Sequence, residues 1–331
     1  MPAAATQAWL RYVRPAALTQ VLDDHSGHVL GVIGFGAQPP PKRVPCLSID
    51  MPVADMPDGV FEVWAAPAAV RVELLEGLRV AMNDGMLFTC IEIGGDDTET
   101  FEHRTADAYR RLFASMDALG YPHLLRIWHY LPHIHCDEQG MERYKRFSLG
   151  RHEAFVAAGR DIPADVPAAS AVGKRTPGLA MYAIAGRLPG TPVENPRQIS
   201  AYSYPAQYGP RGPTFARALS LGLHGGRHLL ISGTASIVGH ESRHPGDIAA
   251  QADETIRNLR ALIEESQARG LLGADAEPRT QLKVYLRHAD SRQMVEAKLR
   301  EALGGIDDIV WLQADICREE LLLEIEAVCA A

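Results

Sequence analysis

No stretch of this chain is apolar for long enough to cross a bilayer as a helix, which takes about 20 such residues. Cysteine is scarce: five in 331 residues, at 46, 90, 136, 317 and 329. The number is odd and no CxxC pair occurs, which excludes a disulfide scaffold or zinc ribbon and fits a reduced, cytoplasmic protein. Positive charge is in deficit, with 33 Lys and Arg against 41 Asp and Glu and a net charge of −8. A nucleic-acid partner is therefore not expected, and any anionic ligand must be met by locally placed arginines. Phosphate-cradling loops are missing too, since GGDD (94–97) and GLHGG (222–226) lack Walker or dinucleotide spacing. The opening MPAAATQAWLRYVRP has a broken apolar pattern and two arginines, unlike a secretory leader. What is abundant is apolar content, 47%, enough for two ordinary domains or one large one.

His240-Glu241-Ser242-Arg243-His244 spells the zinc-protease pattern H-E-x-x-H. That pattern holds a metal only when both histidines project from one helix. Here it follows the apolar, β-branched run HLLISGTASIVG and precedes Pro245-Gly246. The residues therefore read as a strand-to-helix loop, with no third ligand at a suitable spacing. The stretch HYLPHIHCDE offers His129, His133, His135 and Cys136 without a closing ligand, and reads as a strand end with ordinary histidines. No metal is expected.

Strand patterns fall at 28–36, 60–65, 68–74, 86–94 and 123–131, and helical spacing at 105–119 and 142–158. A second series has strands at 179–185, 228–236, 282–287 and 309–314 and helices at 247–269 and 292–303. Residues 215–221 are ambiguous, and 319–328 fit strand or helix. Ala106-Asp107 with Arg111 and Phe113 matches Ala252-Asp253 with Arg257 and Leu259. Each follows a Gly-Asp turn and precedes a glycine, a strand and another helix, the mark of a duplicated α+β unit. The Pro-, Ala- and Gly-rich stretch 161–177 reads as the linker, giving halves at 1–160 and 178–331.

The second half resembles a Rid-family domain in Ile231-Ser232-Gly233, GDIAAQADETIRNLRALIEE, LKVYLRHAD and the closing LEIEA. The resemblance implies two Rid-like (chorismate-mutase-like) halves, each a mixed sheet backed by helices. Nearly end to end, the chain is similar to the chorismatases. The carrying stretches are MERYKRFSLGRHEAF (141–155), ISAYSYPAQYGPRGPTFARA (199–218), SGTASIVGHES (232–242) and ADICREELLLEIEA (314–327). That family cleaves chorismate and releases pyruvate. Some members form a 3,4-dihydroxycyclohexa-1,5-diene carboxylate by hydrolysis, others 3-hydroxybenzoate, and one branch both 3- and 4-hydroxybenzoate.

Cleaving an enol ether starts with a proton delivered to its methylene carbon, which needs a carboxyl kept protonated near neutral pH by apolar surroundings. Glu324, within LLLEIEA, matches the family's acid; as a strand, this stretch puts Glu324 and Glu326 on one face. Cys317 matches the cysteine of the 3-hydroxybenzoate makers, which is implied to steer the aromatising route. Ala235 stands where alanine is expected in the hydrolytic members, so the signature is mixed. The substrate's carboxylates call for arginines. Arg217 comes first, then Arg151, Arg211, Arg243 and Arg287, with Tyr208 as a hydrogen-bond partner. Simple Rid domains carry their carboxylate arginine fifteen residues before the closing Glu, where Ile309 stands, so imine hydrolysis is not expected. The mixed signature favours the branch with two products, and the resulting expectation is a cytoplasmic lyase without cofactor, monomeric or a small homo-oligomer, that cleaves its partner chorismate to pyruvate and 3-hydroxybenzoate, with 4-hydroxybenzoate beside it. The alternatives are the hydrolytic outcome and a non-catalytic Rid-like module that binds small carboxylates.

Overall fold

The run VLGVIGF at Val29–Phe35 is apolar on both faces, and such a strand is stable only where both faces are covered. In the computed structural model, which describes residues 10–95, 99–223, 226–273 and 278–331, it lies inside a four-stranded sheet packed on the rest of the molecule. Residues 1–9, Asp96 of the first Gly-Asp turn, and parts of the two glycine stretches lie outside the described residues. The sheet holds β1 (Leu10–Val13), β2 (Val29–Phe35), β3 (Cys46–Ile49) and β4 (Val60–Ala65) in the order β1-β4-β2-β3, with α1 (Leu18–Asp24) after β1. Gly31 lets β2 press on the next sheet, since a Cβ there would meet the Phe88 ring at 2.2 Å.

Next come β5 (Arg71–Leu75), β6 (Leu78–Met82), β7 (Met86–Ile93), α2 (Phe101–Leu119) and β8 (His123–Pro132). A short hairpin, β9 (Asp137–Glu138) and β10 (Met141–Glu142), leads into α3 (Arg143–Ala157), β11 (Ala168–Lys174) and β12 (Leu179–Gly186). The sheet order is β11-β8-β12-β7-β6-β5. The chain continues with β13 (Thr191–Val193), β14 (Ala218–Leu223), β15 (Gly226–Thr234), and the hairpin β16 (Ile237–Val238) and β17 (Glu241–Ser242). It ends with α4 (Ile248–Ala268), β18 (Arg279–Leu286), α5 (Arg292–Ala302), β19 (Ile306–Gln313) and β20 (Leu323–Ala330). The third sheet has the order β13-β14-β15-β20-β18-β19.

The two six-stranded sheets share one topology. Counted within each set, the spatial order is first, second, third, sixth, fourth, fifth. In both, the fourth and fifth strands are parallel and the sixth inserts antiparallel between the third and fourth. The fold is α+β with mixed sheets backed by helices. Leu179–Gly186, expected to open the second series, instead closes the first sheet at its centre. The expected linker 161–177 contains strand β11. Its sequence AASAVGK shows no bulky alternation, because small side chains suit the close approach of the third sheet. There Ala169 donates its N–H to Ser232 Oγ at 2.8 Å, and a Cβ at Gly173 would meet Asp315 at 3.0 Å. Residues 215–217 lead into β14, which takes up 218–221, and 319–328 resolve as a loop and strand.

α2 follows its apolar spacing, burying Ala108, Tyr109, Leu112, Phe113 and Met116, and stops at Gly120 in the left-handed region (φ 76°). α4 is capped by Asp247, whose side chain accepts from Ala250 N at 3.0 Å. Helices α2 and α3 cover the outer face of their sheet, and α4 and α5 the outer face of theirs. The inner faces meet each other and the first sheet in a shared core around Trp64, Trp128, Tyr130 and Tyr182. Among the described residues no helix is long and apolar enough to cross a membrane.

Candidate active site

The strand LEIEAVCA sits between β15 and β18, and alternation sorts its side chains. Leu323, Ile325 and Ala327 face α4 and α5, while Glu324 and Glu326 face inward and are only 3% and 4% exposed. Glu326 is fully committed. It accepts from Arg126 Nη2 at 2.7 Å, Trp128 Nε1 at 2.8 Å, Lys283 Nζ at 2.8 Å, and from Ser170 Oγ. Burial would raise this carboxyl, but Lys283 and Arg126 overcome it and hold Glu326 below the ordinary carboxylate range.

Glu324 has the opposite environment. Its Oε1 is buried without a hydrogen-bond partner. Burial first and the charge on Glu326 second push its pKa up to about 8, with Arg126 working against them. Space for the side chain comes from a bulge. Ile231 pairs with Ala327 but Thr234 with Ile325, which leaves one extra residue in β15 at Ser232-Gly233. A Cβ on Gly233 would lie 2.0 Å from Glu324 Oε1.

Glu324 opens on a cavity of about 270 Å³ between the two six-stranded sheets. Tyr144, Lys145 and Arg151 of α3 and Ser170 of β11 line one side. The other side is Gly233, Ala235 and Ile237, with Cys317, Arg318 and Glu320 from the loop before β20. A strap between β13 and β14 covers it with Gln198, Tyr204, Tyr208, Phe215 and Arg217.

Arg151 is 1% exposed, its Nε and Nη2 have no hydrogen-bond partner, and its guanidinium lies 5.0 Å from the Phe147 ring centre. A buried guanidinium with idle donors is costly unless an anion completes it. Arg217 donates from Nη2 to Ile199 O and Tyr204 OH, both at 2.7 Å, and its buried Nε has no partner. Tyr208 OH is 3.2 Å from His240 Nδ1. Burial, with Glu324 second, pushes the Cys317 thiol up to about 12, so it is a neutral thiol at physiological pH.

The structure thus gathers six of the nine expected site residues, Glu324, Cys317, Ala235, Arg151, Arg217 and Tyr208, around one cavity. Three arginines stand elsewhere. Arg211 is exposed on the strap outside the cavity lining. Arg243 pairs with Glu241 at 2.9 Å on the surface. Arg287 ties down the loop before β20, donating to Leu321 O at 3.0 Å and Arg318 O at 3.2 Å and pairing with Asp315. The HESRH stretch forms strand β17 and its flanking turns, with no helix. Its His240 meets Tyr208, whereas His244 lies 3.6 Å from Glu254. In the histidine-rich stretch, His129 is buried against Tyr109 OH at 2.7 Å, and His135 Nε2 holds Ile316 O at 2.6 Å.

Sequence reasoning missed Arg318, whose guanidinium lies 4.0 Å from the Tyr208 ring centre and donates to His240 O at 2.9 Å. Its signal was adjacency to Cys317. Arg126 and Lys283 were also missed, each a charge inside an apolar strand (HLLRIWHYL, LKVYLR), which marks a buried and paired cation.

A family model described as "Chorismatase FkbO/Hyg5-like, N-terminal" matches residues 62–185. A protein of Streptomyces hygroscopicus named 3-hydroxybenzoate synthase is 36% identical over 293 residues, covering 86% of this chain and 85% of that protein. A chorismatase of Streptomyces rapamycinicus is 40% identical over 282 residues, covering 81% and 82%. Among solved structures, a crystal structure of a chorismatase superposes with a TM-score of 0.87 at 31% identity, over 98% of each chain.

Proposed function

The chain belongs to the chorismatase family, and from that premise we propose that it cleaves chorismate to 3-hydroxybenzoate and pyruvate. One observation carries the proposal: a single cavity joins a buried carboxyl kept protonated near neutral pH to a buried arginine with idle donors. That is what a dianionic enol ether requires.

In the proposed reaction Arg151 and Arg217 take the carboxylates, and Tyr208 holds the strap over the ring. Glu324 gives its proton to the enolpyruvyl methylene, and the adjacent carbon becomes an oxocarbenium centre. The C4 hydroxyl oxygen then attacks C3. The C3–O bonding pair leaves with the ether oxygen, which becomes the carbonyl oxygen of pyruvate, and the hydroxyl proton returns to Glu324. The C4–O bond of the resulting epoxide opens, the C3 hydrogen leaves as a proton to complete the aromatic ring, and the oxygen left on C3 takes up a proton, giving the phenol. The products together have the atoms of chorismate, so no cofactor or co-substrate is consumed. Cys317, neutral and inside the cavity, disfavours attack by water along this route.

Ala235, 4% exposed and part of the same cavity, favours a second outcome in which water intercepts the ring and the dihydroxy acid forms. We assign the protein to the cytoplasm. We also divide the chain into an amino-terminal sheet (10–65) and two units of like topology, 71–186 and 191–330. This replaces the expected halves 1–160 and 178–331, and the end of the family match at residue 185 supports it.

The test is incubation with chorismate and chromatography of the products. Pyruvate with 3-hydroxybenzoate, alone or beside the 4-isomer, is expected. Pyruvate with only the dihydroxy acid would make Ala235 the better guide, and no pyruvate would leave a carboxylate-binding module.

A further inference from the structure

The proposed reaction leaves one buried anion without a task. Glu326 lies two residues along β20 from Glu324, on the same face. Its partners come from across the molecule: Arg126 and Trp128 from β8, Ser170 from β11 and Lys283 from β18. Lys283 also binds Glu62 of β4 at 2.5 Å, and Glu62 accepts from Trp64 Nε1 at 2.6 Å and Tyr182 OH at 2.8 Å. Two cations and two anions make a neutral buried set. An ionised Glu324 beside it would leave an uncompensated negative charge in the interior.

Buried ion clusters seldom raise stability over a well-packed apolar core. A site that binds a dianion must be cationic, and cations strip protons from nearby carboxyls. Arg126, Arg151 and Arg318 all act on groups in or beside this cavity. Cys317 and Tyr144 keep their protons because burial raises both, and the backbone at Gly233 brings no charge. Lys145, Glu142, Glu319 and Glu320 also line the cavity, but the charges that bear on Glu324 are Glu326, one strand alternation away on the same face, and Arg126, which opposes it.

We propose that Glu326 is a positioning residue for the cleavage: its fixed negative charge beside Glu324 keeps the acid loaded with its proton in a cationic site. The inference rests on Glu324 being the acid. The Ser170 hydroxyl, which lines the cavity and donates to Glu326, joins the anion to the substrate chamber.

The test compares the pH dependence of kcat/KM for pyruvate release in the wild type, Glu326→Gln and the charge-balanced double variant Glu326→Gln/Arg126→Gln. The wild-type rate falls through a pKa of about 8. In Glu326→Gln the limb moves down by about one pH unit or more, because Arg126 then acts unopposed. In the double variant it lies between the two. Below the limb each variant keeps a pH-independent plateau. A structural role alone would lower the rate equally at every pH, and that result, or an unmoved limb, overturns the inference. If the single variant does not fold, the double variant decides, and a limb at or above the wild type's overturns it. Glu324→Gln is the control: if it retains its rate, the assignment of the acid fails, which is distinct from failure of the positioning role.

Discussion

Replacing Glu324 by Gln removes the titrating proton and keeps the shape, so one substitution reads both chemistry and stability. The folded carboxyl holds its proton up to about pH 8, whereas the unfolded one releases it near 4.5. Between these values the folded state binds a proton that the unfolded state has lost. The contribution to stability is fully present below 4.5, falls as pH rises, and levels off above 8. At pH 7 the loss is about 3 kcal/mol, from roughly 2.5 pH units at 1.36 kcal/mol each. Gln does not titrate, so the variant's advantage over wild type should be about 3 kcal/mol larger at pH 7 than at pH 4. Urea midpoints across that range measure it. Pyruvate release should meanwhile fall by about 10² to 10⁴-fold, the usual worth of a general acid. A stability difference that stays flat from pH 4 to 8 would refute the buried, protonated carboxyl. A rate within tenfold of wild type would refute its role.

Gly233→Ala places a methyl 2.0 Å from Glu324 Oε1 and must displace the acid. The expected result is a loss of about 100-fold in kcat with far-ultraviolet circular dichroism unchanged, and a wild-type rate would count against the bulge geometry. Cys317→Ala should shift product from 3-hydroxybenzoate toward the dihydroxy acid, measured by chromatography. In the wild type the thiol, pushed up to about 12, should resist iodoacetamide at pH 8, and rapid labelling would contradict the neutral thiol. Arg151→Met should lower kcat/KM by about 30- to 100-fold, as expected for a lost charge-assisted pair, while the melting temperature holds or rises because an uncompensated buried charge is gone. An unchanged KM would remove Arg151 from substrate binding.

The stretch 319–328 fits strand or helix by pattern, but taken as a strand its local alternation in LEIEA puts Glu324 and Glu326 together and sends Leu323 and Ile325 to the other face, as the structure has them. The helices were legible for the same reason, their apolar stripes being periodic over several turns. Strand β11 was not, since AASAVGK uses small residues to admit a neighbouring sheet and so lacks a hydrophobic period. Nor was the assignment of β12. Its apolar run LAMYAIAG is compatible with either unit, and only pairing with β7 and β8 decides. Among the arginines, chain position could not tell Arg151, sealed under Phe147, from Arg287, which serves a loop.

The inserted sixth strand explains why one chain carries this site once although it has the topology twice. Each sixth strand lies at the centre of its sheet, where an inward side chain is buried by the opposing unit. In β20 that position holds Glu324 and Glu326, but β12 has no carboxylate. The first unit instead supplies cations and donors to the shared interior: Arg126, Trp128, Arg151 and Ser170. Glu324 of the second unit thus shares its cavity with Arg151 of the first unit and Arg217 of its own. Differentiation of two like sheets, only one of which carries carboxylates on its sixth strand, produces a single asymmetric cavity. A substrate with one carboxylate on its ring and another beside the carbon that takes the proton needs that asymmetry.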